Sequence, residues 1–278
     1  MVGLAVAWLP GCKTRQSSVD PARAAPTTTE AVAPPEVEKK IVSPAERAAQ
    51  RERLVTALTK HPEPYLNLRA DGVAFALRPR TVKPVQFRLA IPGLERWSDA
   101  NVGRFVVRLP NGTQETVPFD KVDANGLVSY VFPVGGPAML LFCVGPKVED
   151  RGAVWEKVSH CSKVIVNVND GRQRAVEPDA NVTHETGIPN EVTPMIAPVN
   201  LRVGSELPAT FSVLNDDLQD FEVAALRPDG SIDHQTTNDK GVANFQISQP
   251  GRWVLRFVKW QPDGERVGEL VFEIPENK

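Results

Sequence analysis

The sequence lacks an apolar run near the ~20 residues that a membrane-spanning helix needs. Its net charge of −2 also lacks the excess of clustered positive charge that a nucleic-acid binder uses to neutralise phosphates. Neither a GxSxG nucleophile elbow nor a glycine-rich phosphate loop is present. The four histidines are too far apart in sequence to form a ligand pair. We therefore expect no nucleic-acid partner, no catalytic residues, no metal and no cofactor.

A targeting signal occupies the N-terminus. Residues 2–9 are apolar, and Leu9-Pro10-Gly11-Cys12 follows them. This pattern resembles a bacterial lipobox, in which the cysteine after a small residue is acylated and becomes the new N-terminus. We expect residues 1–12 to be a signal peptide and lipobox with Cys12 as the lipidation site. The alternative is a cytosolic N-terminus in which the cysteine has no such role.

Three cysteines leave two after lipidation of Cys12, namely Cys143 and Cys161. An oxidising compartment outside the cytosol would allow a disulfide between them, and this is the expected pairing. Two buried free thiols are one alternative. A metal cluster of both cysteines with His160 is another, although zinc favours four such ligands.

Residues 13–42 are rich in Ala, Pro, Thr and Glu and have almost no large apolar side chains. Such a segment cannot bury enough surface to offset its ordering entropy, so we expect a disordered tether. Ser43, Pro44 and Glu46 then form the pattern of a capping box with proline at the first helical position. They predict a short helix over 43–61 that packs on the part of the chain immediately after it.

Alternating segments predict short strands at the spacing of a β-sandwich. Pro110-Asn111-Gly112 and Asn125-Gly126 mark turns between them. The second half repeats the pattern: Pro228-Asp229-Gly230 and Lys240-Gly241 take the same places, and the halves then keep one register for seventeen residues. This correspondence indicates duplication of one module.

The expected fold class is therefore all-β: two tandem immunoglobulin-like β-sandwiches preceded by a disordered tether and one short helix. The expected boundaries are 62–170 for the first sandwich, 171–195 for a linker and 196–278 for the second sandwich.

Residues 198–275 carry a resemblance to known modules, through Asn238-Asp239-Lys240-Gly241 and Pro250-Gly251-Arg252-Trp253. They are similar to the β-sandwich domain of bacterial periplasmic nickel/cobalt-uptake accessory proteins. They also resemble carboxypeptidase-regulatory-like and invasin-type immunoglobulin-like modules. The resemblance implies a fold more than an activity.

The two halves differ mainly in a long insertion between Cys143 and Cys161, which carries Trp155 and His160. Aromatic side chains in loops can anchor an interface, so Trp155, His160 and Trp97 form the predicted binding surface. The alternative for each tryptophan is packing beneath its own loop.

The sequence favours a non-enzymatic envelope lipoprotein that acts as a binding, scaffold or adhesion module. Its expected partners are a membrane, reached through the lipid anchor, and an envelope protein or glycan. The expected location is the cell envelope, with the protein anchored to a bacterial membrane on the periplasmic or surface side. An alternative is a periplasmic accessory protein for nickel/cobalt uptake. A third class is a hydrolase whose active-site residues are distant in sequence.

The lipid anchor can be tested with Cys12→Ser. This substitution removes the acylated sulfur, so the protein should move from the membrane fraction to the soluble fraction of its native cells. The same variant at Cys143 serves as a control for general effects of losing a cysteine. Unchanged fractionation of Cys12→Ser would contradict the anchor.

Overall fold

The computed structural model describes residues 42–64, 66–70, 73–74, 84–89, 102–118, 122–123, 126–145, 160–169, 171, 181–261 and 264–276. Cys12, Trp97, Trp155 and all of the predicted tether except Val42 lie outside these residues. The helix is α1 (Pro44–Lys60), and the strands are β1 (Leu66–Ala70), β2 (Val73–Ala74), β3 (Pro84–Leu89), β4 (Val102–Arg108), β5 (Gln114–Thr116), β6 (Leu127–Val131), β7 (Gly136–Gly145), β8 (His160–Val168), β9 (Asn190–Pro194), β10 (Glu206–Val213), β11 (Asp216–Asp217), β12 (Glu222–Leu226), β13 (Ile232–Thr236), β14 (Val242–Gln246), β15 (Gly251–Gln261) and β16 (Gly264–Ile274).

One eight-stranded sheet runs through both halves of the chain, in the order β13-β12-β15-β16-β8-β7-β4-β5. The halves join where β8 pairs in parallel with β16, with His160 opposite Val267 and Val164 opposite Val271. The other pairings in this sheet are antiparallel. The all-β class and the sandwich arrangement are thus confirmed, and the two sandwiches share a sheet.

The two sandwiches use opposite faces of this shared sheet. On one face, Leu140, Phe142 and Val164 pack with the sheet β2-β1-β3-β6 and form the core of the first sandwich. On the other face, Leu255 and Phe257 belong to the core formed with β9, β10 and β14. Side chains alternate between the faces of a strand, so each half of the shared sheet keeps a second face that its own sandwich does not cover.

Helix α1 covers the second face of the second sandwich. Its start is the predicted capping box: Glu46 N–H donates to Ser43 Oγ over 3.2 Å, and Ser43 N–H donates to Glu46 Oε2 over 2.8 Å. Leu54 and Leu58 are buried against Ala224, Val258 and Val267. The expectation that the helix packs on the chain immediately after it is wrong, because these apolar partners lie on β12, β15 and β16 of the other sandwich.

Charged side chains hold α1 in this position. Arg51 donates to both carboxylate oxygens of Glu222, over 3.0 and 3.2 Å. Arg47 pairs with Asp220 at 3.5 Å. A bidentate guanidinium–carboxylate contact fixes orientation as well as distance, so α1 is locked in rotation and in position along β12.

The segment before the second sandwich does the same for the first. Val182 and Ile188 belong to one cluster with Met139, Leu141 and Cys143, on the face of β7 that the first sandwich does not cover. Strand β9, which comes next, lies inside the range 171–195 assigned to a linker and pairs with β10 from Asn190 to Pro194. Each sandwich is therefore covered by the segment that leads into the other.

The turns of the two halves match in their hydrogen bonds. Gly112 N–H donates to the carbonyl of Leu109, and Gly230 N–H donates to that of Arg227, each over 2.9 Å. A Cβ added to Gly136 would lie 3.1 Å from the Pro110 side chain, and the equivalent distance from Gly251 to Pro228 is 2.8 Å. The corresponding glycines thus admit corresponding prolines, as duplication of one module requires.

Leu58→Ala tests whether α1 is an integral part of the fold. Leu58 is buried in the α1 cluster, so the truncation should lower the free energy of unfolding by about 2–4 kcal/mol. Denaturant titration followed by circular dichroism would measure it. The exposed neighbour Thr59→Ala is the control and should change stability by less than ~0.5 kcal/mol. Equal stability of both variants would show that the helix is dispensable.

Candidate functional site

Both long hairpins of the shared sheet point to the same end of the molecule. Strand β8 follows the 146–159 insertion, and β16 follows the short turn between Gln261 and Gly264. Because β8 and β16 are parallel neighbours, the insertion and that turn lie side by side. We call this end of the sheet the hairpin end and define it by His160, Trp260 and Arg53.

Trp260 is the exposed aromatic side chain of the hairpin end. It lies on β15 opposite Glu265 of β16, and 55% of its surface is exposed. The guanidinium carbon of Arg53 on α1 lies 5.8 Å from the centroid of its ring. This cation–π contact holds the ring in a fixed orientation while leaving much of it open to solvent. An ordered, half-exposed indole is a suitable contact for a sugar ring or an apolar side chain.

His160 begins β8 beside the insertion, where it is half-buried. Burial lowers its pKa to about 4, and the positive charge of Arg256 and the nearby His61 lower it further. The imidazole is therefore neutral near pH 7. A neutral imidazole carries both a hydrogen-bond donor and an acceptor.

A buried ion pair lies behind His160. Arg256 on β15 donates to Glu269 on β16 over 2.8 and 3.2 Å, and both side chains are fully buried. The same guanidinium donates to the backbone carbonyls of His61 and Glu63, over 2.7 and 3.1 Å. Those residues connect α1 to the first sandwich, so the pair fixes this connection beneath the hairpin end. Arg256 is thereby committed to structure.

Cys143 and Cys161 form the predicted disulfide at the base of the insertion. They are opposite each other in the β7–β8 pairing, with their Cα atoms 4.1 Å apart, and both are buried. The disulfide prediction is confirmed, so these thiols are not the free pair or the metal ligands of the alternatives. Within the described ranges, no group of three or more His, Cys, Asp or Glu side chains is placed to share a metal ion.

Of the three predicted binding residues, the structure places one. His160 lies at the hairpin end, whereas Trp97 and Trp155 are outside the described residues. Sequence reasoning missed Arg53, because a charged residue on a helix gives no sign of the aromatic ring that it contacts. It also missed the pair Arg256–Glu269, although two charges within the apolar strands around WVLRFV and GELVF were an available signal.

Comparison with known families gives one match. Residues 98–259 match the family described as a domain of unknown function, DUF4198, and this range is more than half of the 278-residue chain. The chain belongs to the DUF4198 family. The DUF4198 range begins just before β4 and ends within β15. It therefore includes strands of both sandwiches and the insertion between Cys143 and Cys161.

Among solved structures, the DUF4198 chain is similar to a segment of two fibronectin type III domains from chicken tenascin. The identity is 10%, the TM-score is 0.24, and the match covers 75% of this chain and 97% of that segment. A calcium-stabilised adhesin with which an Antarctic bacterium binds ice is also 10% identical, with a TM-score of 0.22 and coverage of 73% and 47%. The BSP domain of a biofilm-associated protein is 10% identical, with a TM-score of 0.21 and coverage of 77% and 30%.

The DUF4198 chain thus spans less than half the length of the two adhesion-related proteins, and at these TM-scores the likeness carries no functional argument. No curated protein matches the sequence. Among the described residues, α1 is too short and too polar to be a membrane span.

The shifted pKa of His160 predicts a measurable effect of pH on stability. Above pH 6.5 the imidazole is neutral in both folded and unfolded chains. As the pH falls from 6.5 towards 4, the unfolded chain takes up a proton that the folded chain rejects, so the free energy of unfolding decreases. His160→Gln should remove up to ~1.4 kcal/mol per pH unit of this slope.

Guanidinium titrations of both proteins at pH 7, 6 and 5 would measure the difference. His184→Gln, at an exposed histidine, is the matched control and should keep the slope of the original protein. Parallel slopes for the original protein and His160→Gln would contradict the assignment.

Proposed function

We propose that this DUF4198 protein is a non-enzymatic binding module of the cell envelope, with the hairpin end as its contact surface. The observation that carries the proposal is Trp260, which is exposed yet held by Arg53 against a two-stranded hairpin. An ordered aromatic ring loses little conformational entropy when it binds. Such rings commonly provide the central contacts of interfaces.

The surroundings of Trp260 support a binding surface. The insertion between Cys143 and Cys161 is closed at its base by the disulfide and emerges beside the β15–β16 hairpin. It carries Trp155, so the same end of the sheet offers a second aromatic residue in sequence. Binding residues commonly lie on loops that a rigid scaffold positions, and the shared sheet is such a scaffold.

The charges near this surface support a binding role over catalysis. Arg256 and Glu269 are paired with each other, and Arg256 also holds the connection after α1. The cysteines are joined in a disulfide, which removes a thiolate nucleophile. The ligand classes that suit an exposed indole and a cation are a glycan and an envelope protein.

Lipidation at Cys12 would place this surface at the envelope. The 13–42 segment, which is rich in Pro, Thr and Ala, would separate the folded part from the membrane. The nickel/cobalt alternative stays a prediction that rests on the resemblance of residues 198–275.

The binding surface can be tested by photo-cross-linking in native cells. A photoreactive amino acid at position 260 should give one discrete adduct, because the ring faces the partner. Met195 is equally exposed at 55% and lies just after β9, so the same probe at position 195 is a matched control. A protein adduct would be digested by protease, whereas a glycan adduct would survive protease. No adduct at position 260, or the same adduct at both positions, would overturn the proposed surface.

A further inference from the structure

A second buried ion pair links the two sandwiches across the layers. Lys163 lies on β8 of the shared sheet, and Glu191 lies on β9 of the layer above it. The Nζ of Lys163 is 2.5 Å from Oε1 of Glu191, and their side chains are 0% and 3% exposed. In the shared sheet, the register neighbours of Lys163 are Leu141 and Leu270, so an amine and a carboxyl group meet away from water.

The carboxyl group of Glu191 is held in one orientation by further donors. Its Oε1 accepts from the backbone N–H and the hydroxyl of Thr186, over 2.7 and 2.8 Å. Its Oε2 accepts from the backbone N–H of Gly187 over 3.0 Å. Fixed N–H and O–H donors around a carboxyl group are the arrangement that stabilises an oxyanion when a nucleophile adds to the carbon.

The amine of Lys163 is also positioned. Its second partner is the hydroxyl of Thr193, with Nζ and Oγ1 3.0 Å apart. Burial lowers the pKa of Lys163, which favours the neutral, nucleophilic amine. Burial acts to raise the pKa of Glu191, but the ammonium and the Thr186 donors outweigh it and lower the pKa. Transfer of one proton across the 2.5 Å contact gives an amine and a carboxylic acid.

We propose that Lys163 and Glu191 are a site of self-catalysed modification, at which the two side chains condense to an amide bond. Nζ attacks Cδ of Glu191, which is one bond from the contacted oxygen, and a C–N bond forms. The developing oxyanion on Oε2 is stabilised by Gly187 N–H. Two protons of the ammonium pass to Oε1, whose C–O bond breaks, and it leaves as water. One proton stays on the amide nitrogen, so no oxidant or other reactant is needed.

Fixed geometry is what makes this condensation favourable. In free solution water competes with the amine, but a preorganised pair reacts at a very high effective concentration. The pair Arg256–Glu269 is a natural comparison within the same chain, because it is equally buried and equally charged. A guanidinium stays protonated and is a poor nucleophile, so that pair remains ionic. The product at Lys163 would join the two sandwiches covalently next to the Cys143–Cys161 disulfide.

Mass spectrometry of the full chain, purified from its native cells, tests the proposal. After disulfide reduction, trypsin should not cut after Lys163, because the amine is acylated. A branched peptide should connect the Lys163 segment to the Glu191 segment, with a mass about 18 Da below the sum of the two. Normal cutting after Lys163 and unlinked peptides at their full masses would overturn it and leave an ordinary ion pair. The measurement on the original protein decides this by itself.

Two variants locate the bond. Lys163→Arg keeps the positive charge but should give no branched peptide. Glu191→Gln should release ammonia in place of water and give the same branched product as the original protein, because both routes end in one amide. A loss of about 18 Da that persisted between these peptides in Lys163→Arg would place the bond elsewhere and overturn the assignment.

Discussion

The parallel pairing of β8 with β16 is the constraint on which the rest of the structure depends. When the last strands of two equivalent sandwiches pair in parallel, one sandwich is turned over relative to the other. Their second layers must then lie on opposite faces of the common sheet, as the two separate cores show. Each half of the sheet is left with an apolar face that its own sandwich does not cover, and α1 and the 181–188 segment cover these faces. Burial of those faces is the hydrophobic contribution that joins the two sandwiches.

The seam also explains why charges are buried in the centre of the protein. Gly136 pairs with Val168 and Gly251 with Ile274, so Lys163 and Glu269, each five residues earlier, occupy equivalent positions. Both point away from their own sandwich, and each meets a group that holds a crossing segment: Glu191 on β9 for Lys163, and Arg256 with its two carbonyl partners for Glu269. A buried charge without its partner is strongly destabilising. We infer that these pairs select this arrangement of sandwiches over other packings of the same apolar faces.

The sequence predicted the features that local patterns determine and missed those that the seam determines. Alternation predicted the strands, and the Ser43–Glu46 capping box predicted the start of α1. Cysteine count predicted the disulfide. The shared sheet was not predictable in this way, because a strand buried by a parallel neighbour has the same alternation as one at the edge of an isolated sandwich. The position of α1 was missed for a similar reason: Leu54 and Leu58 show that one side of the helix is buried, but not which sandwich buries it. Gly268 was a signal without an interpretation, since only the structure shows that its missing side chain admits Phe257 and the carbonyl of Asn190.

The same seam bears on the proposed contact surface. Parallel β8 and β16 bring the insertion and the β15–β16 turn to one end, so aromatic residues from the two copies of a duplicated module become neighbours. Arg53 reaches Trp260 only because α1 crosses to the second sandwich. A surface assembled from α1 and both hairpins could not exist on either sandwich alone. The binding proposal for this DUF4198 protein therefore requires the joined form, and any change that separates the sandwiches should remove the surface together with the fold.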